Sequence, residues 1–185
     1  MIMRKYFISA AMSVLLAMGF TACDTETDEK PGGTAIEKMC GYWDVQSDAV
    51  DENGEVVFED PFEDGVVSVY TYNTADNSST KMWIDDRGGK NIGNHNFKFL
   101  ADINYAAGTF SAVEVVYHDG QYKLEVPGTA TISNGKIVEN GGLNLHGKPW
   151  DTIEFDISFS DDPYPAAYGY HHYHVYGQRH TGFTE

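Results

Sequence analysis

The chain is short of the residues that would make its chemistry obvious. Its 185 positions include two cysteines, Cys23 and Cys40, which excludes a disulfide-stapled scaffold and leaves stability to a packed core. Basic residues are scarce: 12 Lys and Arg stand against 28 Asp and Glu, a formal net charge of −16. That balance repels nucleic acid and anionic lipid head groups, so no nucleic-acid partner and no polybasic membrane clamp are expected. The Gly-x-Ser-x-Gly, Ser-x-x-Lys and His-Glu-x-x-His signatures are all missing, so no catalytic residue can be named and no cofactor is implied. Helical periodicity is missing too, apart from a turn around Thr34–Met39.

The N-terminus is more informative. Arg4 and Lys5 precede an apolar run, Tyr6–Gly19, and Thr21-Ala22 brings small residues up to Cys23. A secretory leader has this order of positive, apolar and small-residue segments. A membrane helix is the competing reading, but the run is short for a ~30 Å hydrocarbon core. A cysteine directly after the cleavage position resembles the bacterial lipobox. The resemblance implies that Cys23 becomes the mature N-terminus and the site of lipid attachment, carrying acyl chains of the palmitate type. Two or three such chains anchor stably where one is marginal, so the chain is expected to sit on a membrane without crossing it.

Residues 1–22 then form the signal peptide, 23–38 an acidic flexible tether and 39–185 the folded domain. Asp24–Gly33 is polar, acidic and ends in Pro-Gly-Gly, the composition of a tether. Acidic residues just behind the lipidated cysteine resemble the signal that sends lipoproteins to the cell surface in some Gram-negative bacteria. An outer-membrane lipoprotein, exposed on that surface, is therefore expected. The remaining 163 residues suffice for one domain, and loss of Arg4 and Lys5 takes the net charge from −16 to −18.

From Met39 onward, strand follows strand. Trp43-Asp44-Val45-Gln46 alternates, Val66–Tyr72 is β-branched and aromatic, and Lys81–Asp85 alternates again. Phe97, Phe99, Ala101 and Ile103 share one face, as do Val113, Val115 and Tyr117, and then Tyr122, Leu124 and Val126. Thr152–Phe159 sets four apolar residues against four polar ones, and Tyr168–Arg179 reads as the last strand. Turn signals separate these runs at Asp51–Gly54, Asp86–Gly89, His118–Gly120, Ser133–Gly135 and Asn140–Gly142. About eight strands at regular spacing predict an all-β sandwich or closed antiparallel barrel, with no repeat and no second domain.

Gly41-Tyr42-Trp43 on the first strand and Arg179 on the last resemble the lipocalin arrangement, in which a basic side chain packs on the tryptophan at the closed end. Further matches are Tyr72–Ala75 with Met82–Asp86, Asp151–Ile153 with Phe159–Asp162, and the ending Gly177-Gln178-Arg179-His180-Thr181-Gly182-Phe183. Together, over Gly41–Glu185, they resemble a family of lipocalin-like bacterial lipoproteins described as lipid-binding putative hydrolases. The resemblance implies a single antiparallel lipocalin-like barrel of about eight strands, closed by Trp43 and Arg179. It brings no catalytic pattern to transfer, so an enzyme is not the favoured reading.

The phase of each strand then names the lining of a ligand cavity: Trp43, Val45, Met82, Ile84, Phe97, Phe99, Val113, Val115, Ile153, Phe155, Ile157, Tyr173 and Val175. A small apolar or amphipathic, lipid-like molecule is the expected partner, although the same side chains could equally fill the barrel. The alternatives are a lipid or ester hydrolase, or a surface module binding glycan or protein through a platform of Trp83, Trp150 and the Tyr/His strand. With Arg179 facing inward, His172 and His174 face outward beside carboxylates. An i, i+2 histidine pair can ligate zinc or copper, but an aromatic surface strand is the simpler reading and no metal is assigned. Asp48–Asp64 carries eight acidic residues and no basic one. Its spacing does not fit an EF-hand, so it reads as a loop over the barrel mouth. Cys40 has no adjacent base and reads as a small buried hydrophobe.

Overall fold

A computed structural model describes residues 33–89, 92–118 and 125–182. Cys23, the leader, residues 23–32 of the expected tether, and Tyr122 and Leu124 lie outside the described residues.

The β-branched and aromatic alternation forms nine strands: β1 (Gly41–Val50), β2 (Val56–Phe58), β3 (Val67–Asn73), β4 (Lys81–Asp85), β5 (Lys98–Asn104), β6 (Thr109–His118), β7 (Glu125–Leu143), β8 (Pro149–Phe159) and β9 (His172–Arg179). They pair antiparallel in the order β2-β1-β3-β4-β5-β6-β7-β8-β9, and β1 also pairs with β9. That pairing, from Trp43↔Arg179 to Val50↔His172, closes β1 and β3–β9 into an eight-stranded barrel. Strand β2 is a short addition to the far end of β1. The expected closed antiparallel barrel is the observed fold.

Closure turns one phase of every strand inward. Trp43, Val45, Met82, Ile84, Phe97, Phe99, Ile153, Phe155, Ile157, Tyr173 and Val175 are each at most 1% exposed. Val113 is different: it is 75% exposed and points outward. The register of β6 against β7 shifts between Ala112 and Val115, and Glu114 has a φ of 47°. This bulge adds one residue and reverses the phase. Phe110 and Ala112 therefore face inward before it, and Tyr117 with partly buried Val115 after it.

Two further expectations need correction. Ser133–Gly135 and Asn140–Gly142 do not end strands, because both lie within the 19-residue β7. Asn134 (φ 54°) and Asn140 (φ 55°) sit where the β7–β8 register shifts, so their turn chemistry bends one long strand instead of reversing it. The last strand starts at His172, and a short helix, α1 (Tyr164–Tyr168), precedes it. Asp162 Oδ1 accepts from Tyr164 N at 2.9 Å at its start, and Gly169 ends it at φ 79°.

Both barrel ends are covered. At the end carrying Trp43, which we call the floor, Thr34–Met39 folds into a turn that buries Ile36 and Met39 in the core. Ile36 and Met39 thereby plug the floor. Ala35 N donates to Asn77 Oδ1 at 2.8 Å, and Lys38 Nζ pairs with Glu139 at 2.8 Å to hold the turn. At the opposite end, the mouth, the β4–β5 loop folds inward. It buries Ile92, and His95 stacks on Phe159 at 4.2 Å.

Candidate functional site

The floor is a lock between the two chain ends. Arg179 Cζ lies 4.5 Å from the Trp43 ring centroid, a cation–π contact. Its Nη1 donates to Cys40 O at 2.6 Å, Nη2 to Lys38 O at 3.2 Å, and Nε to Asp151 at 3.0 Å. Trp43 Nε1 donates to Thr71 Oγ1 at 2.8 Å, which donates on to Met39 O at 2.6 Å. Gly41 has a reason to be glycine: a Cβ there would lie 2.6 Å from Arg179 Nη1 and 2.9 Å from the Trp43 ring. Cys40 is half-buried, with its sulfur 3.7 Å from Thr34 Oγ1.

In the interior, ring meets ring. Phe97 lies 5.8 Å from Phe99 and 5.7 Å from Phe159, Phe110 lies 5.7 Å from Phe155, and Tyr117 lies 5.3 Å from Phe159. The strands therefore do bring the expected lining together, Val113 excepted, but as side chains packed on one another.

The outward faces of β5–β9, with the turn after β1, form a groove of about 980 Å³. His172 and His174 lie in it, as the inward phase of Arg179 requires. Its polar groups pair among themselves: Lys136 with Glu154 at 3.0 Å, Asn134 Nδ2 with Asp156 at 2.7 Å, and His174 Nδ1 with Asp156 Oδ1 at 2.8 Å. Burial lowers the pKa of His172 below its ordinary value, against the nearby Asp156 charge. Among the described residues no group of three or more His, Cys, Asp or Glu is arranged to hold a metal ion.

The aromatic platform of the alternative reading is not assembled. Strands β4 and β8 stand four apart in the eight-strand ring, so Trp83 and Trp150 occupy opposite sides. Trp83 instead carries Lys98 Nζ 4.8 Å from a ring centroid, and Trp150 Nε1 donates to Arg179 O. A different outward stack, which sequence reasoning did not find, runs His180–Tyr42–Tyr70 at 4.1 and 4.7 Å and ends with Arg87 3.9 Å over Tyr70. Cross-strand pairing of Tyr42 with Tyr70 creates it.

The mouth carries the second cleft, about 400 Å³ between the acidic β2–β3 loop and α1. Five aromatic side chains wall it: Phe58, Phe62, Tyr164, Tyr168 and Tyr170. Phe58 meets Tyr168 and Tyr170 nearly perpendicularly (89° and 82°), and Phe62 meets Tyr164 at 5.2 Å and 74°. Phe58 is 43% exposed and Tyr168 is 61% exposed, so their apolar area lies open to solvent.

Beneath the crevice a hydrogen-bond chain runs into the barrel. Tyr173 OH donates to Asp162 at 2.6 Å, and the Tyr170 hydroxyl lies 2.7 Å from that of Tyr173. Burial, reinforced by Asp162, raises the Tyr173 pKa, and burial pushes Tyr170 up to about 12. Beside them Tyr117 OH donates to Asp161 at 3.0 Å, and burial raises its pKa also. Asp48–Asp64 is not the single loop expected from its composition: it holds the end of β1, a turn and all of β2, and only its last residues form the loop beside the crevice. The aromatic contribution of α1 was missed, although Pro163, Pro165 and Gly169 bracket a helix with the usual Pro-first, Gly-last asymmetry.

A family model described as "lipid-binding putative hydrolase" matches residues 28–184. No curated protein matches the chain.

Proposed function

The chain belongs to this lipid-binding family, and on that premise we propose that it is a membrane-anchored lipoprotein that binds a small amphipathic, lipid-like ligand at the aromatic mouth of its barrel. The crevice of five aromatic walls is the observation that carries the reading. Its volume, about 400 Å³, lies within the usual range for small-molecule sites, as does its mostly aromatic lining. The larger outer groove is less suited, because its polar groups already satisfy one another. The inward side chains of the barrel serve as a rigid base for the mouth. The leader and the acidic residues behind Cys23 support an acyl anchor at Cys23 and an outer-membrane, surface-exposed location.

Two experiments test the proposal. Full-length protein carrying Cys23→Ser should leave the membrane fraction, and retention there would refute the anchor. With that soluble protein, a neutral monoacylglycerol at 100 times its Kd should stabilise the fold by about 2.7 kcal/mol. The melting temperature then rises by roughly 5–10 °C, and Phe62→Ala abolishes most of the rise. An unchanged melting temperature, with no lipid co-purifying in native mass spectrometry, would reject binding at the mouth.

A further inference from the structure

The geometry points to a ligand whose polar head is cationic, an ammonium group held against the crevice aromatics, with an apolar chain behind it. This inference rests on the mouth being the binding site and adds the chemistry of the head group.

Three independent features of the crevice agree. First, it is rimmed by Glu59, Asp60 and Glu63, and no Lys, Arg or His is among its described lining residues. Asp60 is occupied, since its carboxylate accepts from Asp64 N at 3.0 Å and Gly65 N at 2.9 Å. Glu59 and Glu63 are exposed acids at the rim. An anionic head would meet these carboxylates and the −16 charge of the whole chain.

Second, the proton count at the crevice base is fixed by the chain below it. A phenol has one proton to donate. Tyr173 gives its proton to Asp162, so the 2.7 Å contact between hydroxyls requires Tyr170 to donate to Tyr173. The Tyr170 oxygen is left with acceptor capacity alone. Buried against Tyr173, it has no proton to offer a carboxylate or phosphate. Tyr164 and Tyr168 hydroxyls can do either and do not alter the preference.

Third, the walls are π-faces set at steep angles to each other, Phe58 against Tyr168 at 89° and Phe62 against Tyr164 at 74°. In each of these edge-to-face pairs one ring face is engaged by its partner, and Tyr164 and Tyr168 stack at 27°, so the ring faces left free are what a cationic head would meet. That arrangement attracts ammonium ions and is the usual recognition device for quaternary ones. Desolvation inside a cleft strengthens the contact relative to open solvent.

The test compares three amphiphiles sharing a twelve-carbon chain, titrated calorimetrically below their micelle concentrations into full-length Cys23→Ser protein. These are dodecyltrimethylammonium, monododecanoylglycerol and dodecanoate. The ammonium compound is expected to bind at least about tenfold more tightly than dodecanoate, a preference of ~1.4 kcal/mol of the size cation–π contacts supply. The preference should shrink with added salt. Tyr168→Leu keeps apolar area but removes a π-face, and should weaken the ammonium ligand about fivefold while leaving the glycerol ester nearly unchanged. Glu59→Gln with Glu63→Gln should narrow the gap. Glu52→Gln with Glu55→Gln, equal in charge but outside the crevice, should leave it intact. Variants are compared only after intrinsic fluorescence matches the parent.

Equal or tighter binding of dodecanoate would overturn the cationic head while leaving the mouth as the site, provided Phe62→Ala still weakens it. An ammonium preference that Tyr168→Leu leaves unchanged, or that the two charge pairs reduce equally, would overturn it in favour of a general surface field. Failure of all three amphiphiles to bind would remove both the inference and the reading beneath it.

Discussion

Replacing Arg179 with Met should loosen the barrel at its floor, and the size of the effect can be built from the interactions the guanidinium makes. Met retains an unbranched apolar stem over the Trp43 ring, so packing is largely kept. The cation–π contact at 4.5 Å is half-shielded from solvent and contributes about 1 kcal/mol. The charge-assisted bond from Nη1 to Cys40 O, at 2.6 Å and partly buried, adds about 1.5 kcal/mol. The Asp151 pair is roughly a quarter exposed on both sides, and such pairs contribute ~0.5 kcal/mol. The Nη2 bond to Lys38 O is exposed and adds little. The total is about 3 kcal/mol. With a urea m-value of ~2 kcal/mol/M the midpoint should fall by roughly 1.5 M at unchanged slope. Arg179→Lys keeps a cation but loses the planar fork that reaches both Cys40 O and Asp151, so its midpoint should lie between the two. The reasoning fails if Arg179→Met unfolds within ~0.5 kcal/mol of the parent. It also fails if Arg179→Lys restores full stability, since a point charge would then suffice.

Other outcomes follow from the same geometry. Val113→Ser should change stability by less than ~0.5 kcal/mol, whereas Phe110→Ala, three positions earlier but inward, should cost about 3–5 kcal/mol. Equal costs in denaturant titrations would place the β6 phase wrongly. Gly41→Ala should destabilise the fold and also blunt the effect of Arg179→Met, because its Cβ displaces the guanidinium. Additive effects in a double-mutant cycle would contradict that coupling. Burial raises the pKa of Tyr72, Tyr117 and Tyr173 and pushes Tyr170 to about 12. Unfolded tyrosines ionise near pH ~10, so above that value the unfolded chain binds fewer protons than the folded one, and stability falls as pH rises. The urea midpoint should drop between pH 9 and 11, less so in Tyr170→Phe. A constant midpoint would refute the sign.

Strands whose apolar and polar residues alternate without interruption were legible from the sequence alone. Lys81–Asp85 is strand β4 to the residue, and Thr152–Phe159 forms most of β8. The seam was legible through the resemblance of Gly41-Tyr42-Trp43 and Arg179 to the lipocalin arrangement, and Trp43 does pair with Arg179. Legibility failed where local chemistry has two uses. Asn-Gly at 134–135 and 140–141 supports a hairpin turn or a bulge equally well, since both need a positive φ. Which one forms depends on whether the next residues find a partner in β8, as Lys136 does with Glu154 and Gly142 with Trp150. The phase of Val113 was hidden for the same reason, through the bulge at Glu114. The mouth crevice draws its walls from the β2 region and from α1, segments over a hundred positions apart. Neither Phe62 nor Tyr164 carries a periodic signal by itself, so their meeting is a product of closure.

The seam between β1 and β9 also governs how the molecule can fold. It joins groups as far apart as Arg179 and Cys40, 139 positions along the chain, so the first strand cannot acquire its second neighbour until the last strand exists. The remaining neighbour pairings, β3 through β9, connect strands adjacent in sequence and can grow as successive hairpins. Closure is the one step that pays the entropy of a loop nearly as long as the domain. Such topologies fold on the order of milliseconds to seconds rather than microseconds. During that interval β1 and β9 each present an unpaired edge able to capture another chain. A polypeptide interrupted before His172 would keep both edges at β1 and β8 permanently open. It would be a curved sheet prone to association, with neither floor nor mouth.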